Sequence, residues 1–291
     1  MKKKNEFFNH LIPVLLLAVF ISYLQYNLLF DIFYPALTLY SNETEEFREM
    51  IVPSNISNEI KEFSEEHQLD FLQCLTTIMV QCEFDLTQFK SKNMNISDYN
   101  EQYNYLEANY IEEYNSLLAS YEAIWKDLSY FPVPKSSKDE DATISFENSW
   151  GSKRSYENSE SRHEGTDIMT SNNQRGYFPI VSMTDGVVEQ VGWLEKGGYR
   201  IGVRSPHGGY FYYAHLYNYA SEFKPGDTIK AGQLLGFMGD TGYSKVEGTV
   251  GNFDVHLHLG IYIQTPNYNE ISINPYWILK HLENKRLSFI Y

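Results

Sequence analysis

Cysteine is scarce in this chain, positive charge is outweighed, and long apolar runs are few. Cys74 and Cys82 are the two cysteines among 291 residues. Eight positions apart in an apolar helical pattern, they would stand about 12 Å from each other, too far for a bridge within one helix. They read as core thiols, and no disulfide framework is expected. Lys and Arg number 23 against 38 Asp and Glu, a net charge of −15. That balance excludes nucleic acid and anionic lipid surfaces as partners held by broad electrostatics, since both need positive patches. From Ser41 to Asp70 nine acidic residues face two basic ones.

One long apolar run stands out. Leu11 to Phe30 carries no charge, follows Lys2, Lys3 and Lys4, and is about 20 residues long, enough for a ~30 Å hydrocarbon core. No Ala-x-Ala cleavage site follows it, so it reads as an uncleaved transmembrane helix rather than a signal peptide. Lysines before the run and acid after it orient the N-terminus to the cytoplasm. The expectation is a single-pass membrane protein, with residues 1–40 as cytoplasmic tip and anchor and the membrane itself as a partner.

Residues 41–130 read as an α-helical region outside the membrane. Ile60, Phe63, His67, Leu72, Leu75, Met79 and Cys82 recur at helical steps, and Tyr99, Tyr103, Leu106, Tyr110, Tyr114, Leu117, Tyr121, Ile124 and Leu128 alternate steps of three and four. Two helices are expected, paired as a hairpin or stalk, the second about 45 Å long with Ser97 or Asp98 as its cap. The tyrosine stripe reads as a packing face. Residues 131–142, rich in Pro, Ser and charge, read as a linker. Beyond it the period changes to 2, and short runs bounded by glycine read as strands of a mainly antiparallel β domain over 143–291, closed by a helix that starts at Asn274-Pro275. The expected class is α+β.

The chemistry-bearing residues lie in that β domain. His163 and Asp167 stand four apart around Gly165, and His256 and His258 alternate on a strand, so both imidazoles face one way while Leu257 and Leu259 face the core. Imidazole and carboxylate are ligands that zinc takes. His215 ends the aromatic run Tyr210-Phe211-Tyr212-Tyr213-Ala214, with Ala214 and Leu216 on the face opposite to it. Asp254 shares the parity of His256 and His258 but reads as a solvated loop carboxylate.

His-x3-Asp, then His-Leu after an aromatic strand, then His-x-His, in this order, make the segment from about Phe146 to Ile263 resemble the lysostaphin-type, LytM-like zinc endopeptidases. Thr184-Asp185-Gly186, Lys224-Pro225-Gly226-Asp227 and Gly239-Asp240-Thr241-Gly242 fit the resemblance as well. It implies that His163, Asp167 and His258 hold one zinc ion, that His215 and His256 act jointly on protons and the oxyanion, and that a zinc-activated water hydrolyses stem or cross-bridge peptides of bacterial peptidoglycan. With the anchor, it implies a bacterial cell-membrane protein whose catalytic domain is extracytoplasmic. The alternative is a non-catalytic module of the same fold in a cell-envelope complex; the tyrosine-striped helix leaves a homo-oligomer or an envelope partner open. A lipoyl-type carrier over Lys224–Gly236 is excluded for want of an Asp-Lys-Ala turn.

Overall fold

The computed structural model describes residues 16–25, 41–90, 94–156 and 159–291. Among these no helix is long and apolar enough to cross a membrane. The transmembrane helix expected over Leu11–Phe30 is corrected accordingly. Its described part, 16–25, is helical; the rest of the run and His10 lie outside the described residues. The membrane partner and the single-pass localisation rested on that helix and are withdrawn with it. Met1–Ser41 and Asn42–Tyr291 form separate compact units.

The second unit begins with five helices: α1 (Glu45–Glu49), α2 (Ser54–Glu66), α3 (Phe71–Gln81), α4 (Ile96–Asn109) and α5 (Ile111–Trp125). Each of the two long helices read from periodicity is in fact broken. The first stops at His67, followed by Gln68 at φ +55°, and restarts where the Asp70 carboxylate accepts the Gln73 N–H. The second is capped by Asn95 rather than Ser97 or Asp98, and breaks at Tyr110, whose extended φ of −143° leaves the helical region. Hydrophobic period survives such breaks, which is why the sequence did not reveal them. Cys74 is buried, Cys82 is half-buried, and both are free thiols.

These helices are not a stalk. α5 buries Tyr114, Leu117, Tyr121, Ile124 and Trp125, packing against both α3 and the β-sheet. Tyr121 is fully buried edge-on to Phe47 of α1. Burial of each such aromatic contributes roughly 1.5–3 kcal/mol, which an isolated hairpin exposing this face would forgo. Next to α1, the Arg48 guanidinium donates to the Ser272 carbonyl at 2.9 Å and to its hydroxyl at 2.8 Å. The segment read as a linker is also packed. Phe131 and Val133 are fully buried, Val181 N–H donates to Pro132 O at 2.8 Å, and β1 (Lys135–Ser136) pairs with β14 (Ser288–Phe289).

The remaining strands include β2 (Ile144–Phe146), β5 (Thr166–Thr170), β6 (Pro179–Val181), β7 (Gly186–Leu194), β8 (Gly198–Arg204), β9 (Tyr210–Tyr219), β10 (Thr228–Ile229), β11 (Leu234–Met238), β12 (His256–Ile263) and β13 (Ile271–Ile273). Among the described residues they form a ten-stranded antiparallel sheet in the order β10-β7-β8-β9-β12-β5-β2, with β11, β6 and β13 joined off that path. The strands that carry the site are β5, β8, β9 and β12. Along β12, Leu257, Leu259, Ile261 and Ile263 are buried, and the intervening residues turn to the opposite face. A separate hairpin, β3 (Lys153–Tyr156) and β4 (Ser159–Arg162), rises beside that face. Helix α6 (Tyr276–Leu282) closes the unit, with the Asn274 side chain accepting the Tyr276 N–H at 3.0 Å.

Candidate metal centre and catalytic cleft

Pairing of β12 with β5 sets the first part of the site, because its register places His258 opposite Asp167. His163 arrives from the end of the β3–β4 hairpin, its N–H donating to Ser152 O and its carbonyl accepting from Gly151 N–H, both at 2.8 Å. Gly165 lets the chain turn tightly over His258: a Cβ there would come within 2.5 Å of the imidazole Cε1. The result is convergence. His163 Nε2 lies 3.1 Å from Asp167 Oδ1 and 3.0 Å from His258 Nδ1, and His258 Nδ1 lies 3.0 Å from Asp167 Oδ1.

These three atoms form a nearly equilateral triangle of metal-ligand type. With ligand bonds of about 2.0–2.1 Å, the edge of a tetrahedral zinc site is about 3.3–3.4 Å, so small outward shifts accommodate such an ion and leave a fourth position open. The protonation pattern agrees. His163 Nδ1 has both the Ser149 carbonyl, at 3.1 Å, and the Arg154 guanidinium, at 3.2 Å, as neighbours; with the carbonyl as its partner the proton sits on Nδ1 and Nε2 presents a lone pair to the triangle. Burial pushes the Asp167 carboxyl pKa up, but the adjoining His163 and His258 side chains outweigh it and hold the group far below the carboxylate range. Burial lowers the pKa of His258. A carboxylate and neutral imidazoles are the forms that bind a divalent cation.

His256 and His215 flank this triangle without joining it. His256 Nε2 is 3.7 Å from Asp167 Oδ1, and the His215 ring centroid is 4.7 Å from that of His256. Each is oriented through Nδ1 by a backbone carbonyl, His256 by Asp254 at 2.7 Å and His215 by Thr241 at 2.8 Å. Both Nε2 atoms are therefore unprotonated in the neutral rings. Burial, reinforced by the neighbouring His256 and His258, drives the His215 pKa well down. Phe253 wedges against both rings, at 4.6 Å from His215 and 5.1 Å from His256.

His215 reaches this face only through an irregularity. Strict alternation along β9 would put it with Phe211 and Tyr213 in the core, opposite Tyr210 and Tyr212. The pairing slips between Tyr199 and Ile201, His215 takes φ +63°, and its N–H donates to Gly197 O at 2.8 Å. This bulge returns the imidazole to the cleft. A left-handed backbone at a non-glycine residue costs on the order of 1–3 kcal/mol, which the surrounding packing must offset.

All five histidine and aspartate positions singled out in the sequence thus meet at one cleft of about 1050 Å³. Several contributors were not singled out. Arg154 of β3 donates to Asp167 Oδ2 at 2.6 Å, leaving Oδ1 for the triangle. Thr241 and Asp254 act through backbone carbonyls; the Asp254 carboxylate itself is exposed and accepts from Asn173. Tyr212 stands edge-on to His258 at 6.1 Å, and Tyr210 and Tyr262 extend that aromatic floor. His207 pairs instead with Asp127 at 2.8 Å, and His281 packs on Trp125, both away from the site.

The model of the family described as peptidase family M23 matches residues 161–275, which include all five positions. The crystal structure of a protein from Ruminococcus gnavus ATCC 29149, assigned as a glycyl-glycine endopeptidase lytM, superposes with a TM-score of 0.73 at 40% identity, covering 88% of this chain and 98% of that one. The L-Ala–D-Glu endopeptidase of Bacillus subtilis (strain 168) is 37% identical over 146 residues, which is 50% of this chain and 41% of the relative. Lysostaphin of Staphylococcus simulans is 38% identical over 68 residues, or 23% of this chain and 13% of the relative. The chain spans less than half the length of these curated relatives. Identity at this level along almost the whole of the Ruminococcus protein, together with the family match over the residues of the cleft, establishes that the chain belongs to peptidase family M23.

Proposed function

We propose that the protein is a zinc metalloendopeptidase that hydrolyses peptide bonds of peptidoglycan, with His163, Asp167 and His258 as ligands of one zinc ion and His215 and His256 as the catalytic histidines. The observation that carries this reading is the convergence of His163 Nε2, Asp167 Oδ1 and His258 Nδ1 to within 3.1 Å, beside two imidazoles whose Nδ1 atoms are committed to carbonyls. When bound, zinc supplies Lewis-acid polarisation of the scissile carbonyl and makes water a nucleophile near neutral pH.

The chain's own residues do the rest. Arg154 fixes the Asp167 carboxylate, so that one oxygen stays turned to the ligand triangle. Because the Nδ1 protons of His215 and His256 are held by Thr241 and Asp254, each Nε2 enters the reaction as an acceptor. Having taken a proton, that nitrogen becomes a donor, to the oxyanion or to the leaving amine. The desolvated surroundings of His215 favour its neutral form, so its Nε2 is a free acceptor. The named activities of the relatives divide between L-Ala–D-Glu and glycyl-glycine bonds, and both classes occur in peptidoglycan peptides.

The test is zinc content and release of soluble muropeptides from purified peptidoglycan by the wild-type chain and two variants. His258→Ala loses both zinc and turnover. His256→Ala keeps zinc and loses turnover by about 10²–10⁴-fold, the range of a general acid–base contribution. Stoichiometric zinc in the wild type with no cleavage of any muropeptide overturns the reading and leaves a non-catalytic module.

A further inference from the structure

The cleft carries cations that the rest of this acidic chain does not neutralise. Of those lining it, Arg154 is paired with Asp167 and Arg162 with Glu45. Arg200 and Lys196 make no ion pair among the described residues; Glu270, which also lines the cleft, and Glu189 are engaged by Arg204. Lys196 is exposed, as a solvated lysine would be. Arg200 differs. It sits half-buried on β8, where one terminal nitrogen reaches Gln190 Oε1 at 3.3 Å and the other, Nη1, is closed off from solvent without a partner.

Its charge acts on the aromatic floor. Burial raises the hydroxyl pKa of Tyr210 to about 12, and that of Tyr212 further still, while Arg200 pulls both down. These rings run outward from His258, and Gly202 makes room for them, since the Tyr210 hydroxyl lies where a Cβ at that position would be. Arg200 lines the same cleft as these rings and the metal triangle. A planar fork of donors lacking a counter-charge, partly withdrawn from water, fits a carboxylate better than any neutral group.

We propose that Arg200 binds a carboxylate of the substrate next to the cleaved bond, so that the cleft selects an anionic stem peptide over an uncharged oligoglycine bridge. This specificity rests on the peptidase reading above and adds to it the charge of the substrate. It also names the residue that reads that charge.

Two synthetic peptides of equal length test it, identical except for a glutamate or a glutamine beside the scissile bond, both with amidated C-termini; a third has the glutamine and a free C-terminus. Binding to the zinc-loaded full chain is measured by calorimetry and hydrolysis by kcat and KM. The glutamate peptide binds about 10- to 100-fold more tightly than its glutamine counterpart, the range of a charged hydrogen bond. Arg200→Gln abolishes the difference through KM with kcat little changed, Arg200→Lys retains part of it, and zinc content and circular dichroism stay as in wild type. Preference for the free C-terminus alone overturns the position assigned to the carboxylate. Equal binding of the first two peptides, or equal weakening of both by Arg200→Gln, overturns the proposal. A binding preference without hydrolysis of any peptide sustains it and defeats the peptidase reading instead.

Discussion

Zinc should be a large contributor to the stability of the folded chain, and removing one ligand should abolish that contribution. The three donor atoms stand 3.0–3.1 Å apart in a preformed triangle, so binding demands little rearrangement and the free energy of association appears as stability. At free zinc 1,000-fold above the dissociation constant the gain is about 4.1 kcal/mol. For a unit of this size each kcal/mol moves the melting temperature by roughly 2–4 °C, giving about 8–16 °C between chelated and zinc-saturated protein. His258→Ala removes one corner of the triangle and leaves Asp167 with a single imidazole neighbour in that cluster. Scanning calorimetry of both proteins, with chelator and with zinc, should show the shift in the wild type and less than about a quarter of it in the variant. Equal shifts in the two proteins would refute the reasoning, since the stabilising ion would then be bound elsewhere. Absence of any shift in the wild type would refute it more directly.

Arg154→Gln removes the 2.6 Å ion pair that anchors Asp167 and should weaken zinc binding about 10- to 100-fold in a competition titration, as loss of a partner behind a metal ligand does; unchanged affinity would show that the carboxylate is fixed without it. Gly198→Ala should lower both stability, by on the order of 1–3 kcal/mol, and kcat, at normal zinc content. Gly198 has φ +63° and a Cβ there would overlap Thr241, whose carbonyl holds His215; a urea melt and a rate assay indistinguishable from wild type would contradict this. His281, packed between Trp125 and Ser57, has a pKa lowered to about 4 by burial and the neighbouring Lys285 and Lys61. Its ordinary value is near 6.5, so between those values the unfolded chain binds more protons, and stability is full above about pH 6.5 and lost as pH falls toward 4. The full shift corresponds to about 3 kcal/mol, which partial solvent access reduces to roughly 2. The difference between wild type and His281→Gln in denaturant midpoints should therefore change between pH 7 and pH 4.5, and a pH-independent difference would remove His281 from the account.

What periodicity encodes, the sequence displayed. The short glycine-bounded runs beyond residue 142 are strands, Thr228–Ile229, Leu234–Met238 and His256–Ile263 among them. The helix breaks at His67–Asp70 and Tyr110 were hidden, because helical spacing of apolar residues continues across them and a cap is one polar residue among many. The membrane expectation rested on hydropathy, which reports what a segment could do as a continuous helix, and among the described residues no helix is long and apolar enough to cross a membrane. Packing of Asn42–Trp125 against the sheet was illegible too. A stripe of tyrosines specifies a buried face, and nothing in its spacing says whether the partner is another helix or, as for Tyr121 and its neighbours, a sheet and α1.

The site divides along the same line. Residues that act by side chain at fixed parity, such as His256 and His258, could be placed on one face from the strand alone. His215 could not, because alternation assigns it to the core face and only the bulge at φ +63° reverses that assignment. The groups that set its chemistry are backbone carbonyls of Thr241 and Asp254, and a carbonyl leaves no trace in the identity of its residue. Asp254 illustrates the consequence: its parity with His256 drew attention to the carboxylate, yet that carboxylate faces Asn173 while the carbonyl of the same residue fixes the His256 tautomer. Sequence therefore names the side chains proposed to exchange protons or meet a metal, whereas the atoms that orient them are supplied by main-chain geometry. It follows that substitution of Asp254, whose side chain is exposed, should lower kcat less than Gly198→Ala, which pushes on the Thr241 carbonyl itself, and a rate assay of the two variants checks this.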